Sequence, residues 1–176
     1  MKLYEHYLLK SVDGLIKHSN LRDLGKLFAE ANEHYQVDWI NNNTNLDVIK
    51  RTDDTGDGYD LITTDGVMRI QTKLRAKGIH IEQTRRNSVG NNIEENNTGY
   101  TRYRVNETDI FFVSKPVLDD YANMEKWELI AIPSVAVQDP NREGFCLPSI
   151  PKKIWKEYVG KTKETLEMTY RNLICT

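Results

Sequence analysis

The first part of the chain carries apolar residues at helical spacing. Their recurrence every three or four positions predicts a helix over residues 3–17. Ser19 and Asn20 then offer an N-cap for a second helix that runs to about residue 34. Both helices are expected to pack on a core through apolar stripes. These stripes are Leu8, Leu9, Val12, Leu15 and Ile16 in the first helix, and Leu21, Leu24, Leu27, Phe28 and Ala31 in the second.

A change from helical to alternating periodicity predicts a β-hairpin in residues 58–75, with strands at 58–62 and 68–75. Thr64-Asp65-Gly66 marks the turn, because Asp-Gly readily adopts the positive φ values that tight turns need. Successive side chains of a strand point to opposite faces. The second strand therefore has an apolar face of Met68, Ile70 and Leu74, and a polar face of Arg69, Gln71, Lys73 and Arg75.

Further strands and helices complete an α/β pattern. Strands are predicted at 79–83, 110–113 and 129–132, the last ending at Pro133, and helices at 152–158 and 163–172. Residues 41–45 predict a polar turn or loop, whereas residues 46–50 fit either a short strand or the start of a helix. The fold class that follows is α/β, a domain built around a central sheet.

Length and composition indicate an ordinary globular domain. The 176 residues are 39% hydrophobic and 28% charged, enough for a single well-cored domain. No apolar run is long enough to span a bilayer, and residues 1–6 lack the apolar core of a signal peptide. Cys146 and Cys175 have no metal-like spacing, so we expect reduced thiols and a cytoplasmic, intracellular protein.

Positive charge is concentrated in one segment of the chain. Residues 69–104 hold eight Lys and Arg against three Glu, whereas residues 1–68 hold seven basic and twelve acidic residues. Clustered Lys and Arg are typical of phosphate-binding surfaces, although most charge runs are simply solvated. The position of this segment, beginning at the second strand of the hairpin, favours a phosphate-containing ligand.

The polar side chains of the hairpin suit metal-dependent hydrolysis of a phosphodiester. Mg²⁺ prefers oxygen ligands, and Asp60 can supply a carboxylate while Gln71 can supply its amide oxygen. Lys73 would then lie beside the scissile phosphate, stabilising its charge and orienting or deprotonating the attacking water.

The spacing of Asp60 from Gln71-Thr72-Lys73 resembles the PD-(D/E)XK nucleases, in particular the type II restriction endonucleases. Asp60 matches the first acid of that motif, Gln71 the second and Lys73 the lysine, and Tyr59 stands at the variable proline position. The resemblance implies a restriction-endonuclease-like core with a central mixed β-sheet flanked by α-helices. It also implies Mg²⁺-dependent cleavage of double-stranded DNA and, often, homodimerisation. It also implies a prokaryotic restriction-modification setting.

Gln71 departs from the family pattern and leaves the motif one carboxylate short. The loss of a negative charge should weaken metal binding, so another acid is expected to compensate. Glu82 is the first choice, because it alternates with Ile79 and Ile81 and shares a face with His80 and Thr84. Asp57, Asp65 and Glu33 are weaker candidates.

Residues 84–106 are polar and rich in Asn and Arg, which predicts a DNA-recognition loop. Arg forms paired hydrogen bonds with guanine and Asn with adenine in the major groove, while phosphate contacts also use Arg. The expected DNA-binding residues are Arg69, Arg75, Arg85, Arg86, Asn87, Asn91, Asn92, Arg102, Tyr103 and Arg104.

Together these features predict a site-specific, Mg²⁺-dependent DNA endonuclease acting as a homodimer, whose two copies would match a palindromic site. Its single domain would comprise a helical part at 1–35, catalytic strands at 46–83, the recognition loop at 84–106 and the remaining strands and helices at 107–176. The alternatives are a subunit of a heteromer, a repair, junction or nonspecific nuclease, a catalytically inactive DNA-binding protein of the same fold, and an unrelated α/β interaction protein.

Overall fold

A computed structural model describes residues 5, 9, 21–52, 58–81, 83–84, 100–117 and 123–175 of the chain. Of the first predicted helix, only Glu5 and Leu9 fall within these ranges, and both are helical. The helices are α1 (Leu21–Asn43), α2 (Lys152–Trp155) and α3 (Thr162–Ile174). The strands are β1 (Val48–Lys50), β2 (Leu61–Thr63), β3 (Arg69–Leu74), β4 (Ile79–His80), β5 (Gln83–Thr84), β6 (Tyr100–Thr101), β7 (Ile110–Lys115), β8 (Glu128–Pro133) and β9 (Ser149–Ile150).

Five strands form one mixed sheet in the order β1-β2-β3-β7-β8. The pair β3–β7 is parallel, with Gln71 opposite Phe111 and Lys73 opposite Val113, and the other pairs are antiparallel. The predicted α/β class with a mixed sheet is therefore confirmed. The predicted hairpin turn is also present, since Gly66 between β2 and β3 has a φ of +78°.

Both faces of this sheet are covered. One face packs on α1 and α3 around Ile70, Phe112 and Leu166. The opposite face packs on a second cluster that includes Tyr103, Phe111, Ile79 and Ile150. Because β7 is buried on both sides, it reads as the continuous apolar run Ile110–Val113 rather than as an alternating one.

Helix α1 continues nine residues beyond the predicted end, so the expected polar loop at 41–45 was partly wrong. The side-chain amides of Asn42 and Asn43 donate to the carbonyls of Asp38 (2.6 Å) and Trp39 (2.8 Å), which supports the last helical turn. Asn41 bonds both backbone groups of Val48, at 2.8 and 3.0 Å, and so joins the helix end to β1. A run of asparagines can thus end a helix as readily as form a loop.

The predicted strand at 79–83 is two shorter pieces with different partners. Strand β4 pairs with β9, whereas β5 pairs with β6, so the chain changes sheets between His80 and Gln83. The pair β5–β6 brackets residues 85–99, which lie outside the described ranges. In the parts of the chain that are described, no helix has an apolar stretch of the length that a membrane span requires.

Candidate active site

Asp60 lies immediately before β2 and is fixed by backbone hydrogen bonds on both sides. Its N–H donates to the carbonyl of Ile70, and its own carbonyl accepts from the N–H of Arg51, both at 3.0 Å. The carboxylate oxygen Oδ2 accepts from the N–H (3.0 Å) and hydroxyl (2.8 Å) of Thr72, and from the side-chain amide of Gln71. All three hydrogen bonds end on Oδ2, which leaves Oδ1 available to a ligand.

Gln71 is 3% exposed and lies on the side of β3 that faces the second cluster. Its Nε2 donates to Asp60 and to the carbonyl of Thr72 (3.2 Å), while its buried Oε1 has no hydrogen-bond partner among the described residues. A buried carbonyl without a donor is destabilising, so a cation or donor placed beside it would be bound favourably. The sequence placed Gln71 on an open polar face, and its burial under an apolar cluster corrects that picture.

Lys73 lies two residues after Gln71, on the same side of β3. Its ammonium donates to the hydroxyl of Tyr103 at 2.7 Å and lies 4.8 Å from the centre of that ring. Burial lowers the pKa of Lys73 to about 8, against the opposing effect of the Asp60 charge, and the cation of Arg75 lowers it further. A lysine with this pKa exchanges its proton near neutral pH.

Helix α1 brings a second carboxylate to the site. Glu33 lines a pocket of about 430 Å³ together with Asp60, Gln71 and Lys73. Burial raises the pKa of Glu33, the hydrogen bond from Lys50 opposes this, and the nearby charge of Asp60 raises it further. The two carboxylates are therefore close enough to repel each other. The other lining residues are Phe28, Ala29, Asn32, Thr72, Leu74 and Arg75.

Lys50, on β1, is the counterion of Glu33. Its Nζ lies 2.9 Å from Glu33 Oε2 and 3.5 Å from Glu30 Oε1. The sequence ranked Glu33 below Glu82 as the compensating acid because helical periodicity does not show which turn faces the hairpin. Glu82 lies outside the described residues, as does Asp57, whereas Asp65 sits in the β2–β3 turn and bonds Tyr170.

The residues predicted to bind DNA do not form one surface where they are described. Arg75 lines the Asp60 pocket, but Arg69 pairs with Asp109 (3.0 Å) at the opposite end of β3. Arg102 pairs with Asp139 at 2.7 Å, and exposed Arg104 lies 5.1 Å from the centre of the Phe145 ring. Tyr103 is 2% exposed, so its expected DNA contact does not fit. The other members, Arg85, Arg86, Asn87, Asn91 and Asn92, lie outside the described ranges.

Asp60, Glu33 and Gln71 bring to the pocket side-chain oxygens of the kind that Mg²⁺ prefers as ligands. Within the described ranges, no three His, Cys, Asp or Glu side chains are already gathered at metal-binding separation. Mg²⁺ nonetheless needs only one or two carboxylates, and water and substrate phosphate supply its other ligands. A cation beside Asp60 would relieve its repulsion with Glu33, and it would meet Gln71 Oε1 once the amide, whose Nε2 now faces Asp60, turns over.

Comparison of the chain with models of known protein families, with curated proteins and with solved structures gave no significant match. We therefore infer the function from the chemistry of the site itself.

Titration of Lys73 tests the electrostatics of this pocket. We expect its midpoint near pH 8 in an NMR titration of ¹³C-labelled lysine, and a lower midpoint in Asp60→Asn because the Asp60 charge raises the pKa. Since the pKa of Lys73 in the folded protein lies below the ordinary lysine value of 10.5, the unfolded chain binds more protons from pH 8 to 10.5. The wild type should thus gain stability over Lys73→Met as pH rises through this window. An ordinary midpoint near 10.5 would contradict the burial of the ammonium.

Proposed function

We propose that this protein is a Mg²⁺-dependent endonuclease that hydrolyses phosphodiester bonds of double-stranded DNA, with a restriction-endonuclease-like core. The observation that carries the proposal is the shared pocket of Asp60, Gln71, Lys73 and Glu33. Three of these come from the predicted motif and the fourth supplies the carboxylate that the motif lacks. The mixed sheet, with β3 at its centre, is compatible with such a core.

Asp60 and Glu33 would hold the metal ion, with Gln71 adding its amide oxygen. When bound, Mg²⁺ neutralises phosphate charge and lowers the pKa of a bound water. Rotation of the Gln71 amide about its last bond exchanges Oε1 and Nε2, so the carbonyl oxygen can face the Asp60 side. Thr72 continues to hold Asp60 Oδ2 through its N–H and hydroxyl during this change.

Lys73 is the group of the chain that acts on the phosphate. In its charged form it stabilises the negative charge that develops on the phosphate oxygens, and in its neutral form it accepts a proton from the attacking water. A pKa of about 8 makes both forms accessible near neutral pH. Arg75, at the same pocket, provides a fixed positive charge for the substrate backbone.

Glu33 replaces the missing second acid better than the other described candidates. It lies in the pocket, whereas Asp65 lies in the β2–β3 turn, and its pKa already responds to Asp60. Lys50 balances its charge before a metal ion binds. With Asp60 and Glu33 together the site has the two carboxylates that a divalent cation prefers.

Cleavage at a specific sequence and homodimerisation are part of the proposal and follow from the resemblance to type II restriction endonucleases. A second candidate is an inactive or nonspecific DNA-binding or repair protein of the same fold. The amide at Gln71 favours this alternative, since it removes one negative charge from the motif.

Substitution of the two central residues tests the proposed activity. With plasmid DNA and Mg²⁺, the wild type should give discrete fragments, and Asp60→Asn and Lys73→Met should each lower the cleavage rate at least about a hundredfold. Asp47→Asn and Lys126→Met, which change exposed residues of matching type, should cleave normally.

The outcomes of this assay separate the two candidates. Retention of cleavage by Asp60→Asn or Lys73→Met contradicts the site assignment. DNA that is retarded on a gel but intact supports the inactive binding protein, and a smear supports a nonspecific nuclease.

Exchange of charge at the metal ligands tests the role of Glu33. Glu33→Gln should raise the Mg²⁺ concentration for half-maximal binding roughly tenfold, because it removes a nearby negative charge, and Gln71→Glu should lower it by a similar factor. Glu30→Gln is the matched control, since Glu30 also contacts Lys50 but does not line the pocket. Isothermal titration calorimetry gives these values. Equal effects of Glu33→Gln and Glu30→Gln would exclude Glu33 as a ligand.

A further inference from the structure

Tyr103 connects the second cluster to the candidate active site. It precedes the bridge residue Arg104, and its ring meets that of Phe111 edge-on, with centres 5.2 Å apart and planes at 80°. Its hydroxyl accepts a hydrogen bond from Lys73 Nζ at 2.7 Å. Only 2% of the surface of Tyr103 is exposed, so the residue packs in the interior and does not contribute to a DNA-binding surface.

The position of the Tyr103 ring is fixed from several directions. Its backbone carbonyl accepts from the N–H of Cys146 at 2.8 Å, which ties the residue to the neighbouring segment. Gly58 leaves room on another side, because a Cβ there would lie 3.2 Å from Tyr103 Cδ1 and 2.9 Å from Glu107 Cβ. Because the Tyr103 ring is closely packed, it keeps its position, and the Lys73 side chain must adapt to form the hydrogen bond.

Lys73 has a competing attraction within the pocket. Asp60 and Glu33 both carry negative charge that acts on its ammonium. Lys73 nevertheless forms no ion pair with either carboxylate among the described residues, whereas Lys50 does pair with Glu33 at 2.9 Å. The contact that Lys73 makes instead is with the hydroxyl and ring face of Tyr103.

We propose that Tyr103 is a positioning residue that keeps Lys73 Nζ apart from Asp60, and so preserves the space in which the cation and a phosphate oxygen would lie. The inference rests on the proposed nuclease function. Its physical basis is that an ammonium paired with Asp60 would occupy the position of the metal ion and would no longer face the phosphate. The hydroxyl of Tyr103 gives Lys73 a hydrogen-bond acceptor other than Asp60 and so opposes that pairing without adding charge.

Tyr103→Phe tests the inference because it removes the hydroxyl and keeps the ring in its packing. In a crystal structure of the metal-free variant, Lys73 Nζ should move to within about 4 Å of an Asp60 carboxylate oxygen, the usual limit for an ion pair. In solution, kcat should fall roughly tenfold to a hundredfold with KM for DNA unchanged, and more Mg²⁺ should be needed for half-maximal activity. Tyr158→Phe is the control, since Tyr158 packs against the same cluster and has no hydrogen bond to Lys73 in the described structure.

The two measurements separate failure of the inference from failure of the proposed function. If Lys73 keeps its distance from Asp60 in metal-free Tyr103→Phe, the positioning role is overturned whatever the activity. If Lys73 moves to Asp60 but the wild type neither binds Mg²⁺ nor cleaves DNA, the positioning role stands and the nuclease proposal fails. An active variant with an unchanged Mg²⁺ requirement also overturns the role, because a purely structural tyrosine would leave that requirement as it is.

Discussion

The three hydrogen bonds that end on Asp60 Oδ2 fix the candidate site. Two come from Thr72 and one from Gln71, so the strand that carries the motif also holds the carboxylate of the preceding strand. Charge-assisted hydrogen bonds of this kind are stronger than neutral ones and orient the acceptor. They leave Oδ1 without a hydrogen bond among the described residues. The β2–β3 hairpin therefore lies within the central sheet and also positions the residues of the proposed metal site.

Charge balance is the second constraint on this pocket. Two acids, Glu33 and Asp60, face Lys50 and Lys73, and each lysine is held by a different partner. Lys50 pairs directly with Glu33, whereas Lys73 is held by the neutral hydroxyl of Tyr103. The two acids are thus neutralised unequally, because among the described residues only Glu33 forms an ion pair with a lysine. The Asp60 carboxylate has no paired lysine and Gln71 Oε1 has no hydrogen-bond donor among the described residues, and both conditions favour binding of a cation.

Local pattern was sufficient for the hairpin, its turn and the buried runs of β7 and β8, because alternation, an Asp-Gly turn and continuous apolar stretches are properties of neighbouring residues. It also placed Asp60, Gln71 and Lys73 together. Local pattern was insufficient wherever the deciding contact was distant in sequence. Asn41 ends α1 through its bonds to Val48, and Glu33 reaches the pocket because α1 packs on the sheet beside β3.

The basic residues show the same limit. Arg69 and Arg75 alternate on one strand, yet Arg69 is paired with Asp109 while Arg75 lines the pocket, because they lie at opposite ends of β3. Tyr103 was grouped with the DNA-binding residues by composition and instead packs on Phe111. Residue type and spacing indicate chemistry, but the partner across the sheet decides which side chains are available for it.

We propose that Asp60, Glu33 and Gln71 bind a divalent cation. Crystals soaked in MnCl₂ and measured for anomalous scattering test it most directly. We expect an anomalous peak with oxygen ligands at about 2.1 Å, contributed by Asp60 and by Glu33 or Gln71, and its loss in Asp60→Asn. A wild-type pocket with no peak at saturating Mn²⁺, or a peak that survives in Asp60→Asn, would contradict it.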